Sequence, residues 1–293
     1  MTHLFRSLMH TVPAGVMGFL PKKRFAHLGL AGLVCAVLLT ACSEYNRALK
    51  STDADFKMQV AEKYMAKESW DRAIPLLEEL IVLKRGTAES EKVNYLHAKS
   101  NWGMKDYTIA AYYLSNFVRT FPKSIYAEEC AFLSAYSRSL NSPNYELDQT
   151  DTREAMDQLQ LFLVRYPTTS LKDSCNTLID KMRTKLEVKS FHASRQYYKM
   201  KNYQAATVSF NDFNREWPNS KFREDAMFYA LRSQYLLAAG SVEGKKVERL
   251  NDATTAFHNF ADAFPQSVLL EDALKLNKEI EVALAIETRK NTP

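Results

Sequence analysis

Residues 107–130 read YTIAAYYLSNFVRTFPKSIYAEEC, and three later stretches reproduce the pattern column by column. An alanine stands twelve residues before a proline in each: Ala110 and Pro122, Ala155 and Pro167, Ala206 and Pro218, Ala253 and Pro265. Five residues before the proline lies Phe117, Phe162, Phe213 or Phe260, and immediately before it Phe121, Tyr166, Trp217 or Phe264. Two residues after it comes Ser124, Thr169, Ser220 or Ser267, and six after it an acid, Glu128, Asp173, Glu224 or Glu271.

Each column has a physical reason. A small alanine lets two helices approach closely, and the phenylalanine two turns later fills the space between repeats. Proline cannot continue a helix, so it marks an end. The hydroxyl that follows can cap the next helix, and the acid then sits in the first turn, where the helix dipole favours negative charge. The unit is therefore helix–turn–helix, repeated. An earlier copy lacks the proline but keeps Trp70, Ala73 and Leu80 in matching places.

These columns resemble the tetratricopeptide repeat, including the aromatic three residues before the alanine at Trp70, Tyr107 and Tyr203. The expected fold is all-α: a tetratricopeptide-like solenoid of about five helix-turn-helix units. The proline spacings of 45, 51 and 47 residues exceed the usual 34. The extra length is assigned to a polar loop at 139–151, an extended or doubled helix at 171–200 and a basic loop at 239–249. A final amphipathic helix is expected over 267–289.

Composition agrees. Only 8 glycines occur, four of them at Gly15, Gly18, Gly29 and Gly32, too few for a sheet protein rich in tight turns. The formal charge of +5 is also uneven: Arg6, Lys22, Lys23 and Arg24 face no acid within residues 1–41. Without those four, 35 basic residues oppose 34 acidic ones, so a lasting basic surface for nucleic acid is missing.

That N-terminal stretch has its own logic. Residues 22–24 (KKR) precede an apolar run from Leu28 to Leu39, then Thr40-Ala41-Cys42. Basic, apolar and small segments in that order make a secretory signal, and the run falls short of the roughly 20 residues of a membrane span. Leu39-Thr40-Ala41-Cys42 resembles the bacterial lipobox, which implies cleavage before Cys42 and its lipidation. Ser43, in place of an aspartate, implies an outer-membrane destination by the same resemblance. Residues 1–41 are thus read as a lipoprotein signal peptide, 42–54 as a lipidated polar tether, and 55–293 as the solenoid with a C-terminal capping helix.

No catalytic or metal site is expected. His97, His192 and His258 lie far apart without ligand spacing, and no nucleophile elbow or phosphate loop occurs. Cys130 and Cys175 occupy the column filled elsewhere by Ala226 and Ala273, so they read as small buried residues rather than a disulfide. Apart from the covalent lipid, no cofactor and no small-molecule substrate is implied. Partner binding is expected on the first helix of each unit, which lines the groove of such solenoids. Counting back from the repeat alanines places Met58, Met65, Lys92, Tyr95, Lys99 and Trp102 on that face in the first two units, and Arg195, Tyr198 and Lys199 in the fourth. Methionine, tyrosine and tryptophan beside cations suit a peptide with a carboxylate or aromatic end.

A lipobox followed by about five such units resembles the BamD/competence-lipoprotein family of outer-membrane β-barrel assembly. The supporting stretches are FPKSIYAEECAFLSAYS (121–137), DQTDTREAMDQLQLFLVRYPTTS (148–170) and KSFHASRQYYKMKNYQAATVSFNDFNREWPNS (189–220). The resemblance implies a non-enzymatic scaffold on the periplasmic face of the outer membrane. Its C-terminal units would hold the periplasmic domains of the barrel-forming assembly protein, and its N-terminal groove would receive unfolded outer-membrane protein precursors. The alternatives are a pilotin-like lipoprotein for a secretin, a lipoprotein serving a glycan-uptake porin, and a periplasmic hydrolase.

Overall fold

The computed structural model describes residues 44–290, so Cys42 and the segment read as a signal peptide lie outside the described residues. The helices in chain order are α1 (44–50), α2 (Ala54–Met65), α3 (Trp70–Leu83), α4 (Ser90–Gly103), α5 (Tyr107–Thr120) and α6 (Ala127–Asn141). They continue with α7 (Thr150–Arg165), α8 (Lys172–Lys199), α9 (Tyr203–Glu216), α10 (Arg223–Ala239), α11 (Glu243–Ala263) and α12 (Leu270–Lys290). No strand occurs among the described residues. The chain divides into two compact units after His97, within α4.

In the first unit, Val60, Ala61 and Tyr64 of α2 bury against Ala73, Leu76, Leu77 and Leu80 of α3. The same cluster contains Ala48, wholly buried, so residues 44–50, within the stretch read as a polar tether, form a packed helix. Residues 44–50 are helical because Tyr45, Ala48 and Leu49 share a face and pack on α2 and α3. The Tyr45 ring meets Tyr64 edge-on at 5.3 Å, and the fully buried Lys57 ammonium donates to the Leu49 carbonyl at 3.3 Å while pairing with Glu79.

The second unit is built on one repeated stripe. Ala110, Leu114 and Phe117 on α5 recur as Ala155, Leu159 and Phe162 on α7, then Ala206, Phe210 and Phe213 on α9, and Ala253, Phe257 and Phe260 on α11. Spacings of four and three residues keep each trio on one helical face, and all twelve are buried. Burying one such phenylalanine contributes about 2–3 kcal/mol. Cys130, Cys175, Ala226 and Ala273, at the head of the next helix in each case, are all at 0 % exposure. Both cysteines are free thiols, and burial pushes that of Cys130 up to about 12.

Each stripe helix ends on its aromatic. The N–H of Phe121, Tyr166, Trp217 and Phe264 donates to the carbonyl of the phenylalanine four residues back, at 2.8–2.9 Å. These aromatics are half-buried lids rather than core. The Ser/Thr column differs slightly from expectation, because none of these hydroxyls sits at the N-cap. Ser124, Thr169, Ser220 and Ser267 instead accept from the N–H two residues on, at 2.9–3.2 Å, closing a turn just before the helix. Ser220 and Ser267 also donate, to Glu187 and Glu224.

Turns within a pair use a left-handed residue: Glu68 (φ 53°), Lys105 (φ 61°) and Lys201 (φ 60°). After α8, the Asn202 N–H reaches the Tyr197 carbonyl and the Lys201 N–H that of Tyr198, both at 3.0 Å, the paired pattern that glycine usually serves.

The 28-residue α8 explains the longest spacing. Its middle turns carry Lys185 and Lys189, which hold the polar connection after α6 by donating to the carbonyls of Ser142 (3.1 Å), Tyr145 (3.1 Å) and Leu147 (2.8 Å). The basic loop expected at 239–249 is corrected to a three-residue link, 240–242, since 243–249 belongs to α11. Glu, Lys and Arg are good helix formers, and the charges are engaged: Lys246 pairs with Glu287 at 3.0 Å and Arg249 donates to Ser241 Oγ at 2.6 Å.

Candidate partner-binding surface

The first helices of the later pairs, α8 and α10, expose faces free of the stripe residues. On α8, Arg195 and Tyr198 lie one turn apart and meet α10 directly. The Arg195 guanidinium stands 5.9 Å from the Tyr229 ring centre, and the Tyr198 and Tyr229 rings meet edge-on at 5.1 Å. From α10, the exposed Arg232 covers Tyr198 at 5.6 Å and Phe228 at 5.7 Å. The result is a lattice of alternating aromatic and guanidinium groups, each contact gaining from the ring quadrupole.

This lattice continues into a cleft of about 330 Å³ between α10 and α12, with Phe228, Arg232 and Tyr235 on one side and Asp272, Lys275 and Glu279 on the other. Burial raises the Tyr235 hydroxyl, helped by its hydrogen bond to Glu279. Burial likewise raises Tyr198, against the lowering effect of Arg232. Both phenols therefore stay protonated donors at neutral pH. Lys199 is exposed at the end of α8.

The N-terminal candidates are more occupied. Met58 and Met65 are half-buried and pack against the first hydrophobic cluster. Lys92 pairs with Glu62 at 2.5 Å, and Lys99 pairs with Glu129 while lying 5.6 Å from the Trp102 ring. Tyr95 is half-buried on the same helix. Nearby, His97 is buried and desolvation lowers its pKa to about 4. The imidazole is therefore neutral at physiological pH, and Glu78 at 4.0 Å is a neighbour rather than an ion-pair partner. No cluster of metal-ligating side chains occurs among the described residues.

Counting back from the alanines misses Phe228, Tyr229, Arg232 and Tyr235. Ala206 stands three residues into α9, whereas Ala253 stands ten residues into α11, so the count for the fifth unit ends inside α11 itself. The signal that finds them is the run FYALRSQY (228–235), whose aromatics and arginine recur at helical spacing.

Helices paired in chain order, with a repeated small-and-aromatic stripe inside and aromatic–cation rows on the first helices, define a tetratricopeptide-like repeat protein. The family model for YfiO, described as outer membrane lipoprotein, matches residues 51–239, and the chain belongs to that family. It is also similar, at 26% identity over 227 residues, to a protein of Aquifex aeolicus (strain VF5) described as outer membrane protein assembly factor BamD. The match covers 75% of this chain and 72% of that one.

Proposed function

We propose that the protein is a non-catalytic scaffold of outer-membrane β-barrel assembly, held on the periplasmic face of the outer membrane by lipid on Cys42. The observation that carries this reading is the family match across 51–239, which takes in the helices from α2 to α10. The name of the Aquifex relative supplies the assembly role. Leu39-Thr40-Ala41-Cys42 supplies the anchor, and two or more acyl chains hold a protein stably on a bilayer.

The periplasmic domains of the barrel-forming assembly protein dock on the α8–α10–α12 face. Arginine and tyrosine are among the side chains that anchor interfaces best, and Arg195 and Arg232 are already ordered on the Tyr229 and Tyr198 rings, which meet each other; this lowers the entropy lost on binding. Unfolded barrel precursors bind at Met58, Met65, Lys92 and Tyr95 of the first unit, where a precursor carboxylate exchanges with Glu62 for Lys92. Lys99 and Trp102 of the second unit take precursor in the same way, a carboxylate exchanging with Glu129 for Lys99.

Affinity purification of the tagged protein from detergent-solubilised envelopes tests the reading. The barrel-forming assembly protein should co-purify, and Arg232→Glu with Tyr198→Ala should reduce its recovery at least tenfold. Recovery of a secretin, or of a nutrient-uptake porin alone, would overturn it. Cys42→Ala should release a folded protein into the soluble fraction; retention on salt-washed membranes would contradict the lipid anchor.

A further inference from the structure

On the opposite side of the helix pairs, α9, α10 and α11 enclose a cleft of about 600 Å³ that the assembly reading does not use. Its walls are two polar stripes. Thr207, Asn211 and Asn214 follow one face of α9, and Asp252, Thr255 and Asn259 follow one face of α11. The floor is α10, from Arg223 through Met227 and Ala230 to Gln234.

Three residues lining this cleft each carry a buried atom without a hydrogen-bond partner: Thr207 Oγ1, Asn214 Oδ1 and Arg223 Nε. Unpaired buried polar atoms are rare and costly, and each needs a reason. Helical threonines elsewhere in the chain satisfy themselves on the carbonyl four residues back, as Thr120, Thr177, Thr184 and Thr254 do. Thr207 does not. Asn214 is equally out of pattern, because the same column holds Val118, Leu163 and Ala261 in the other repeats.

We infer that this cleft binds an extended, uncharged stretch of polypeptide through its backbone. Carboxamides carry a donor and an acceptor each, and Asn211, Asn214, Gln234 and Asn259 present four of them to one space. An extended chain offers the complementary alternation of N–H and C=O. From Arg223 to Gln234 the floor runs about 16 Å along the helix, the length of about five extended residues. The two charged lining residues, Arg223 and Asp252, are opposite in sign, and Asp252 already accepts from Gln234 at 3.2 Å. A neutral segment therefore fits best. No aromatic ring lines the cleft to stack on a sugar, which sets a glycan aside.

The inference does not depend on the assembly role, and the test is made with purified full-length lipoprotein in detergent. A fluorescent, end-capped octapeptide of alternating serine and valine is titrated and followed by anisotropy. Saturable binding is expected, weakened at least tenfold when alternate backbone amides of the peptide are N-methylated. Thr207→Val and Asn214→Leu should each weaken binding at least threefold while raising the melting temperature, because they remove unpaired atoms that the fold alone does not need. Equal affinity for the N-methylated peptide would overturn the inference, as would variants that bind normally. So would binding of an N-acetylglucosamine tetramer by a protein that ignores the peptide.

Discussion

Phe213→Ala removes an almost fully enclosed ring from one repeat. The ring is 1 % exposed, lies 5.7 Å from Phe191 of α8, and shares a cluster with Ala206, Phe210, Ala226 and Ala230. Truncating a buried phenylalanine costs about 3–5 kcal/mol, the transfer loss plus the cavity left behind. In a stack whose repeats contact mainly their neighbours, that loss stays local. At about 1.4 kcal/mol per decade, amide exchange across α8–α10 should accelerate by roughly a hundredfold to several thousandfold. Peptides from α5 and α6, whose burial rests on Leu114, Phe117 and Cys130, should change little. Hydrogen–deuterium exchange with mass spectrometry reads both at once. Equal acceleration from α5 to α12, or an effect below about 1 kcal/mol at α9, would refute the reasoning that each aromatic stripe closes its own pair.

Other outcomes follow from single groups. Lys201→Gly should stabilise the protein by about 0.5–1 kcal/mol, since a side chain at φ 60° costs more than glycine's extra freedom; a lower melting temperature would count against the left-handed turn. Because the folded pKa of His97 is lowered to about 4 from 6.5, the unfolded chain binds its proton first. Stability is then full above about pH 6.5 and falls by up to ~3 kcal/mol as pH drops towards 4. His97→Gln should flatten that slope in urea titrations at pH 7 and 4.5. Glu287 is held below the usual carboxylate range by Lys246 first and Lys290 second. Its contribution is present at neutral pH and fades in acid, so Glu287→Gln should loosen α12 at pH 7 and matter less near pH 3, read by exchange at its backbone amides. Cys130 and Cys175 should resist iodoacetamide at pH 8 in the folded protein and react on unfolding, as burial raises both thiols.

The repeat core was legible because its columns are purely steric. Ala110, Phe117 and Pro122 each do one thing that few residues can do, and the same need recurs in every copy. The residues proposed to face a partner lack that redundancy. Register singles out Arg195 and Tyr198, whereas Tyr229 and Arg232 escape it because α11 gains turns before Ala253 and breaks the count. Composition misled twice, at 44–50 and at 243–249, where polar and charged residues read as tether and loop. In both places a sparse apolar or ion-paired face, Ala48 in one and Lys246 with Glu287 in the other, fixes a helix. The cleft of Thr207 and Asn214 was invisible for a different reason: an unpaired atom is a property of packing, which no single column encodes.

Depleting the protein and measuring total outer-membrane β-barrel content by quantitative mass spectrometry bears most directly on the assembly role. Barrel content should fall together across unrelated barrels, and be restored by the wild-type chain but not by Arg195→Glu with Arg232→Glu. An outer membrane that keeps its full complement of barrels after depletion would contradict it.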